Sequence, residues 1–260
     1  MLSYQHAYHA GNLADVHKHA LLASALDYLT RKDKPVSYLE THSGRGLYDL
    51  TAPEATKTGE AQQGISRLAQ AFAADHPYTK ALHAIQNQHG PAAYPGSPII
   101  AQTLLRPCDT LHLAELHPQE YAALRSTVKA PNTKTYQQDG FACAQSLCPP
   151  DPRRGMILID PSWEVKTDYA TVPKFTATLA RKWNVGIIAL WYPILTDAPH
   201  APMLRALEAQ HPEALRHEVS FPPAREGHRM VGSGMFIVNP PWGLSDEAAR
   251  LTNLFQTLQR

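Results

Sequence analysis

Between residues 36 and 242 the chain repeats one pattern: a short apolar segment, a polar residue or glycine where it ends, then most often a stretch with helical spacing. The apolar segments are Val36–Leu39, TLHLAELHP, TKTYQQDG, GMILIDPSW, NVGIIALWYP, LRHEVSF and GMFIVNPPW, with QEYAALRSTV, TVPKFTATLARKW and APMLRALEAQ as the helical stretches between them. Parallel strands need a crossover connection, so this alternation predicts an α/β domain with a mostly parallel sheet and helices on both faces. Ligands of such sheets lie beyond the carboxyl ends of the strands. Few functional candidates remain: Glu40 to Gly46, Glu115, Asp139 with Gly140, and Asp160 with Trp163.

Upstream of the first strand, Asn12 is placed to cap a helix, with Asp15 at the third helical position to reciprocate. Val16, Ala20, Leu21, Ala23, Leu26 and Leu29 follow at helical spacing. Residues 1–50 thus carry an N-terminal tail, a helix and the first core strand. Residues 51–95 turn alanine- and glutamine-rich and predict a small helical insertion, and residues 96–260 complete the main domain. Ser97 reads as a helix cap there, with Pro98 at the first helical position, where its missing N–H costs nothing.

The 260 residues suffice for one large α/β domain with an insertion. Lys plus Arg number 24 against 23 for Asp plus Glu, so net charge argues neither for nor against a polyanionic partner. Cys108, Cys143 and Cys148 have no metal-ligand spacing and leave an odd thiol, which predicts a reducing compartment without a disulfide framework. With no secretory leader pattern and no apolar run of ~18 residues, the expected location is the cytoplasm, away from membranes.

The strand ends group by chemistry. Gly44 and Gly46 in ETHSGRG permit a turn that a cofactor can approach closely, although a plain tight turn explains two glycines as well. Glu115 is placed to accept the hydroxyls of a ribose, with a surface cap as its alternative. Asp139 offers an acceptor for an adenine amino group, beside a glycine small enough to leave room for the ring. Together they point to an adenosine-containing cofactor. The G-x-G-x-x-G and G-x-x-x-x-G-K-[ST] loops are both missing, which argues against a pyrophosphate.

DPSW, starting at Asp160, offers a carboxylate and a backbone carbonyl to orient an amine, and Trp163 to clamp a planar base. Its alternative is a turn with Trp163 as core filling. NPPW at Asn239–Trp242 has the same form, but the cofactor-side residues occupy the first three core strands, and the next strand lies beside the first in a doubly wound sheet. That favours Asp160 and leaves NPPW as a stiff strand exit that walls the pocket. His6, His9, His17 and His19 lack a convincing carboxylate or cysteine partner, so no metal site is expected. The N-terminal segment reads instead as a cover folded over the cofactor. The basic loop AREGHRM is a further candidate substrate contact.

MLSYQHAYHAGNLADVHKH, YLETHSGRG, YPGSPIIA, LAELHP, QQDG, ILIDPSWEVKTDY, ALWYP and SGMFIVNPPW, in this order, resemble the bacterial large-subunit ribosomal RNA adenine-N6 methyltransferases along essentially the whole chain. The resemblance implies a class I S-adenosylmethionine-dependent methyltransferase fold, a Rossmann-like doubly wound sheet with a small helical insertion subdomain. It implies methyl transfer to the exocyclic amine of an adenine in 23S rRNA, in a protein-free or partly assembled large subunit. With no strongly apolar exposed stripe in the sequence, a monomer is expected. Carried over by position, His19, His42, Gly44, Ser97, Glu115, Asp139 and Gly140 would hold S-adenosyl-L-methionine. Asp160, Pro161 and Trp163 would be catalytic, and Tyr4, His6 and Lys18 would face the RNA. One departure stands out: the motif of such enzymes is [DN]-P-P-[YFW], and Ser162 replaces the second proline. A rival expectation follows from it, an RNA-binding assembly protein that kept the fold and lost the chemistry. A nicotinamide-dependent oxidoreductase is the other rival, disfavoured by the missing glycine motif.

Overall fold

The computed structural model describes residues 4–225 and 227–259. Met1–Ser3, which head the N-terminal string, Glu226 of the basic loop and Arg260 lie outside them. Strands β1 (Ser37–Glu40), β2 (Leu47–Asp49), β3 (Ala93–Pro95), β4 (Thr110–Ala114), β5 (Thr133–Tyr136), β6 (Gly155–Ile159), β7 (Ile187–Leu195), β8 (Leu215–Ser220) and β9 (Met230–Val238) form two sheets. The main sheet has the order β5-β4-β1-β6-β7-β9-β8. Its pairings are parallel from β5 to β7, and β9 runs antiparallel to both neighbours. The strand order reverses at β1, which lies between β4 and β6. A crevice opens at such a point because the connections on either side leave to opposite faces of the sheet.

Side chains alternate between the two faces, as the pleat requires. Tyr38, Met156, Leu158 and Ala189 join the core beneath helices α1 (Leu13–Thr30), α6 (Ser97–Leu104) and α11 (Leu244–Gln256). Leu39, Ile157, Ile188 and Leu190 face α8 (Gly140–Leu147), α9 (Asp168–Lys182) and α10 (His200–Gln210). Helix α7 (Pro118–Thr127) connects β4 to β5. The remaining α-helices, α2 (Pro53–Thr58), α3 (Glu60–Gln63), α4 (Ile65–Leu68) and α5 (Pro77–His89), lie between β2 and β3 in the chain, and Ile65, Leu68, Tyr78, Leu82 and Ile85 pack into the same core as α1. β2 and β3 pair antiparallel, a small sheet the sequence pattern did not announce because each strand has only three residues.

Helix α1 decides the character of the site. The sheet and α11 cover one side, and α3, α4, α5 and α6 cover the others, so even Asp15, His17, Lys18 and His19 are buried. Charges in such a helix must be neutralised by each other. The expected cap forms, with Asp15 N–H donating to Asn12 Oδ1 at 2.8 Å, but Asp15 Oδ2 reciprocates at Gly11 N–H, 2.9 Å away, one residue before the cap.

Three expectations are corrected by placement. Ser97 is the first residue of α6 rather than its cap; Gly96 takes that position, and the Ser97 hydroxyl donates to Glu40 Oε1. NPPW does not wall the pocket: β9 runs against β7, so its end lies at the opposite edge of the sheet from Asp160. There Asn239 Nδ2 donates to the carbonyls of Asn184 and Gly186, and Trp242 stands 81% exposed. Gly140 is small for a packing reason, since a Cβ there would lie 1.8 Å from the Thr41 carbonyl oxygen, which is fixed backbone. Gly140→Ala is therefore expected to cost about 1–3 kcal/mol by overpacking and to displace the Thr41–His42 turn. Chemical denaturation checks the first effect and cofactor titration the second; wild-type values in both would contradict it.

Candidate active site

Beyond the carboxyl ends of β1, β4 and β6 lies a cavity of about 530 Å³. All thirteen site candidates border it: Tyr4, His6, Lys18, His19, His42, Gly44, Ser97, Glu115, Asp139, Gly140, Asp160, Pro161 and Trp163. His228 and Met230, at the end of the basic loop, border it too.

On the β4 side, Glu115 accepts the N–H of Gly44 at 2.8 Å on Oε2 and the N–H of His117 at 2.7 Å on Oε1. Burial raises its pKa against those two bonds. Each oxygen keeps a lone pair for a further donor. Gly44 has φ +60°, and a Cβ on it would meet the Tyr48 hydroxyl at 2.7 Å. Asp139 Oδ1 caps α8 through Ala142 N–H at 2.8 Å, which leaves its other oxygen to the cavity. His42 Nδ1 bonds Thr41 Oγ1 at 2.8 Å with its ring edge-on to Phe141, and burial, opposed by Asp160 and Asp139, lowers its pKa to about 4. His19 is held by the Tyr94 hydroxyl at 2.8 Å, and burial lowers its pKa to about 3 despite Asp15. Ser43 Oγ, at the cavity border, is buried without a hydrogen-bond partner. A buried hydroxyl left open among a carboxylate and neutral rings suits an uncharged, hydroxyl-rich group such as a nucleoside.

Glu40, which was only one of a range of sequence candidates, is 2% exposed, and burial raises its pKa to about 8 in spite of the Ser97 hydrogen bond. The folded protein therefore takes up a proton from about pH 4.5 to 8 that the unfolded chain does not. Stability must fall as pH rises through that window and level off above it. In Glu40→Gln this loss is absent, so the gain in Tm over wild type is expected to widen from pH 5 to 8 and then stay constant. A pH-independent difference in melting of the cofactor-free protein would contradict it.

On the β6 side one chain of polar contacts runs from the N-terminal segment to the strand end. The Tyr4 hydroxyl lies 2.9 Å from His6 Nδ1, and His6 Nε2 donates to Asp15 Oδ2 at 2.9 Å. Lys18 Nζ bridges Asp15 Oδ1 at 3.1 Å and Asp160 Oδ2 at 2.7 Å. Burial opposes the charge of Asp15, but His6 and Lys18 outweigh it and hold the carboxyl well below its usual range. Burial likewise opposes the Lys18 ammonium, and Asp160 and Asp15 more than compensate, raising its pKa. Lys18 thus turns inward to Asp160 instead of presenting a surface charge. Asp15, read from sequence as a capping residue, is the hub. Its signal was its spacing, three residues before Lys18 and four before His19 on one helical face.

Trp163 has φ +59° and is 7% exposed, with its ring tilted on Tyr169 at 4.7 Å. Its Nε1 is buried without a partner. Pro161 and Ser162 carry the chain from β6 to it along the cavity. Among the described residues no group of three or more His, Cys, Asp or Glu could hold a metal ion, and no helix is long and apolar enough to cross a membrane.

Residues 33–259 match the family model described as Ribosomal RNA large subunit methyltransferase D, RlmJ. The chain belongs to this family. It is 40% identical over 252 residues to Ribosomal RNA large subunit methyltransferase J of Escherichia coli K12, covering 95% of this chain and 90% of the relative. The protein of the same name from Haemophilus influenzae is 38% identical over 253 residues, with the same coverage. A solved Legionella pneumophila protein, 35% identical, superposes with a TM-score of 0.85 over 96% of this chain and 94% of its own. The chain is thus a class I methyltransferase, and its cofactor is S-adenosylmethionine. The Glu115 side of the cavity, with its neutral histidines and open Ser43 hydroxyl, fits the adenosine part of that molecule.

Proposed function

We propose that this methyltransferase modifies the exocyclic N6 amine of an adenine in 23S rRNA, presented in a protein-free or partly assembled large subunit. The relatives' names support a large-subunit rRNA substrate. The observation that carries the amine is Asp160: a carboxylate at the end of β6, on the cavity, followed by a proline carbonyl and an aromatic ring.

S-adenosylmethionine supplies a methyl group made electrophilic by its sulfonium sulfur. His19, His42, Gly44, Ser97, Glu115, Asp139 and Gly140 would hold it. Asp160 and the Pro161 carbonyl accept the two amine hydrogens and so draw the nitrogen lone pair out of conjugation with the ring. Lys18 occupies Asp160 Oδ2, which leaves Oδ1 for the amine. The ion pair also fixes that carboxylate, so the acceptor is in place before the base arrives. Trp163 stacks on the extruded base. No strong base is needed, because the amine proton becomes acidic once the nitrogen has taken the methyl group.

Incorporation of labelled methyl into unmodified 23S rRNA, followed by digestion to nucleosides, tests this reading. N6-methyladenosine is the expected product. Label in another nucleoside, or RNA and cofactor binding without transfer, would overturn it.

A further inference from the structure

Trp191, on β7, was not among the sequence candidates, yet its half-buried ring borders the same cavity. Lys18 Nζ lies 5.3 Å from its ring centroid and 2.7 Å from Asp160 Oδ2, so the ring is one side chain away from the acceptor carboxylate. Behind it runs a chain of hydrogen bonds through five elements. Trp191 Nε1 donates to Ser233 Oγ at 2.9 Å, and Ser233 Oγ lies 2.8 Å from His17 Nδ1. His17 Nε2 lies 2.9 Å from His217 Nδ1, and His217 Nε2 lies 2.9 Å from Thr252 Oγ1.

The sense of donation is set at the far end. Thr252 gives its hydroxyl proton to the Ala248 carbonyl, so Thr252 Oγ1 must accept from His217 Nε2–H. His217 Nδ1 then accepts from His17 Nε2–H, and His17 Nδ1 accepts from Ser233. Ser233 Oγ is left to accept from the indole, which can only donate. This single polarity holds for neutral imidazoles, the form that burial favours by lowering the pKa of each. A chain of this kind anchors the indole by its nitrogen while its ring borders the cavity, at a place where a plain apolar residue would fill β7 equally well. Trp163, in comparison, is nearly buried and packed on Tyr169.

We infer that Trp191 is a second aromatic contact of the target base, and that Ser233, His17, His217 and Thr252 are positioning residues which hold its ring in place. The inference rests on the proposed presentation of a base to Asp160. It identifies which residues outside DPSW select a planar ring over a sugar or a phosphate.

The test is quenching of tryptophan fluorescence by adenosine in protein saturated with S-adenosylhomocysteine, which keeps the added adenosine out of the cofactor's own site. Trp191→Leu is expected to weaken adenosine binding by about tenfold or more and to remove the Trp191 share of the quench, leaving that of Trp163. Trp191→Phe should fall between, and Trp242→Phe, at the far sheet edge, should behave as wild type. Ser233→Ala should weaken adenosine binding in the same direction and raise the KM for RNA. Affinity for S-adenosylhomocysteine should be unchanged throughout. Wild-type adenosine affinity in Trp191→Leu, an equal loss of S-adenosylhomocysteine affinity, or no nucleoside binding by the wild type would overturn the inference. If the wild type prefers another nucleoside and Trp191→Leu loses that one, the adenine reading falls while Trp191 keeps its role.

Discussion

Asp160→Ala is expected to lower single-turnover methyl transfer to RNA by about 10³-fold, the scale on which removal of one preorganised polar group at a reacting centre is felt. Cofactor affinity should stay near wild type, because Glu115, Gly44 and Asp139 lie at the ends of other elements. The substitution removes the acceptor that orients the amine and leaves Lys18 with Asp15 as its remaining carboxylate. Asp160→Asn should retain more activity than Asp160→Ala, since an amide oxygen still accepts one amine hydrogen while the tie to Lys18 weakens. Quench-flow with labelled cofactor measures the first quantity and calorimetric titration the second. Transfer within tenfold of wild type in Asp160→Ala would remove Asp160 from the mechanism.

Lys18→Met is expected to destabilise the fold by about 3–5 kcal/mol, because one deletion strands two carboxylates that share one buried cation. Side-chain exposure of 5% for Lys18 and 1% for Asp15 leaves little solvent to screen the pair, whereas Asp160, at 14%, is partly relieved by water. Adding Asp15→Asn to Lys18→Met should recover part of the loss, and the double-mutant cycle isolates the coupling. The pH dependence has a defined sign. Asp15 titrates below its unfolded value of 3.8, so its contribution is fully present above that pH and is lost as pH falls through the lower folded value. Without Lys18 the folded value rises, and acid unfolding should begin at higher pH. Urea melts between pH 3 and 7 check both parts; unchanged stability would mean that water already neutralises the pair.

The parts of the fold legible in the sequence were those governed by local periodicity. GMILIDPSW reads as a buried strand with an acid at its end whatever surrounds it, and the order of such segments fixed which strand lies beside β1. Glu115, Asp139 and Asp160 could be picked out because a parallel sheet collects its strand ends on one edge. Ser97 misled, since a serine before Pro98 is a good cap in isolation, and only the approach of β1 gave its hydroxyl a carboxylate partner. NPPW misled for a related reason: a strand's composition does not record its direction, and β9 alone runs the other way among the described strands of the main sheet.

The sequence by itself determined the strand-end chemistry and the sheet class, because both follow from residue type and spacing along a few neighbouring positions. Only the tertiary structure decided what Lys18, Asp15, His17 and Trp191 do. Their partners are Asp160, Ser233 and His217, and Lys18 and His17 lie 142 and about 200 residues from theirs. Burial of the first three turns of α1 on every side turned ordinary helix-surface residues into an enclosed network. An enclosed charge or donor must find a partner wherever the fold brings one, and periodicity along the chain carries no record of that meeting.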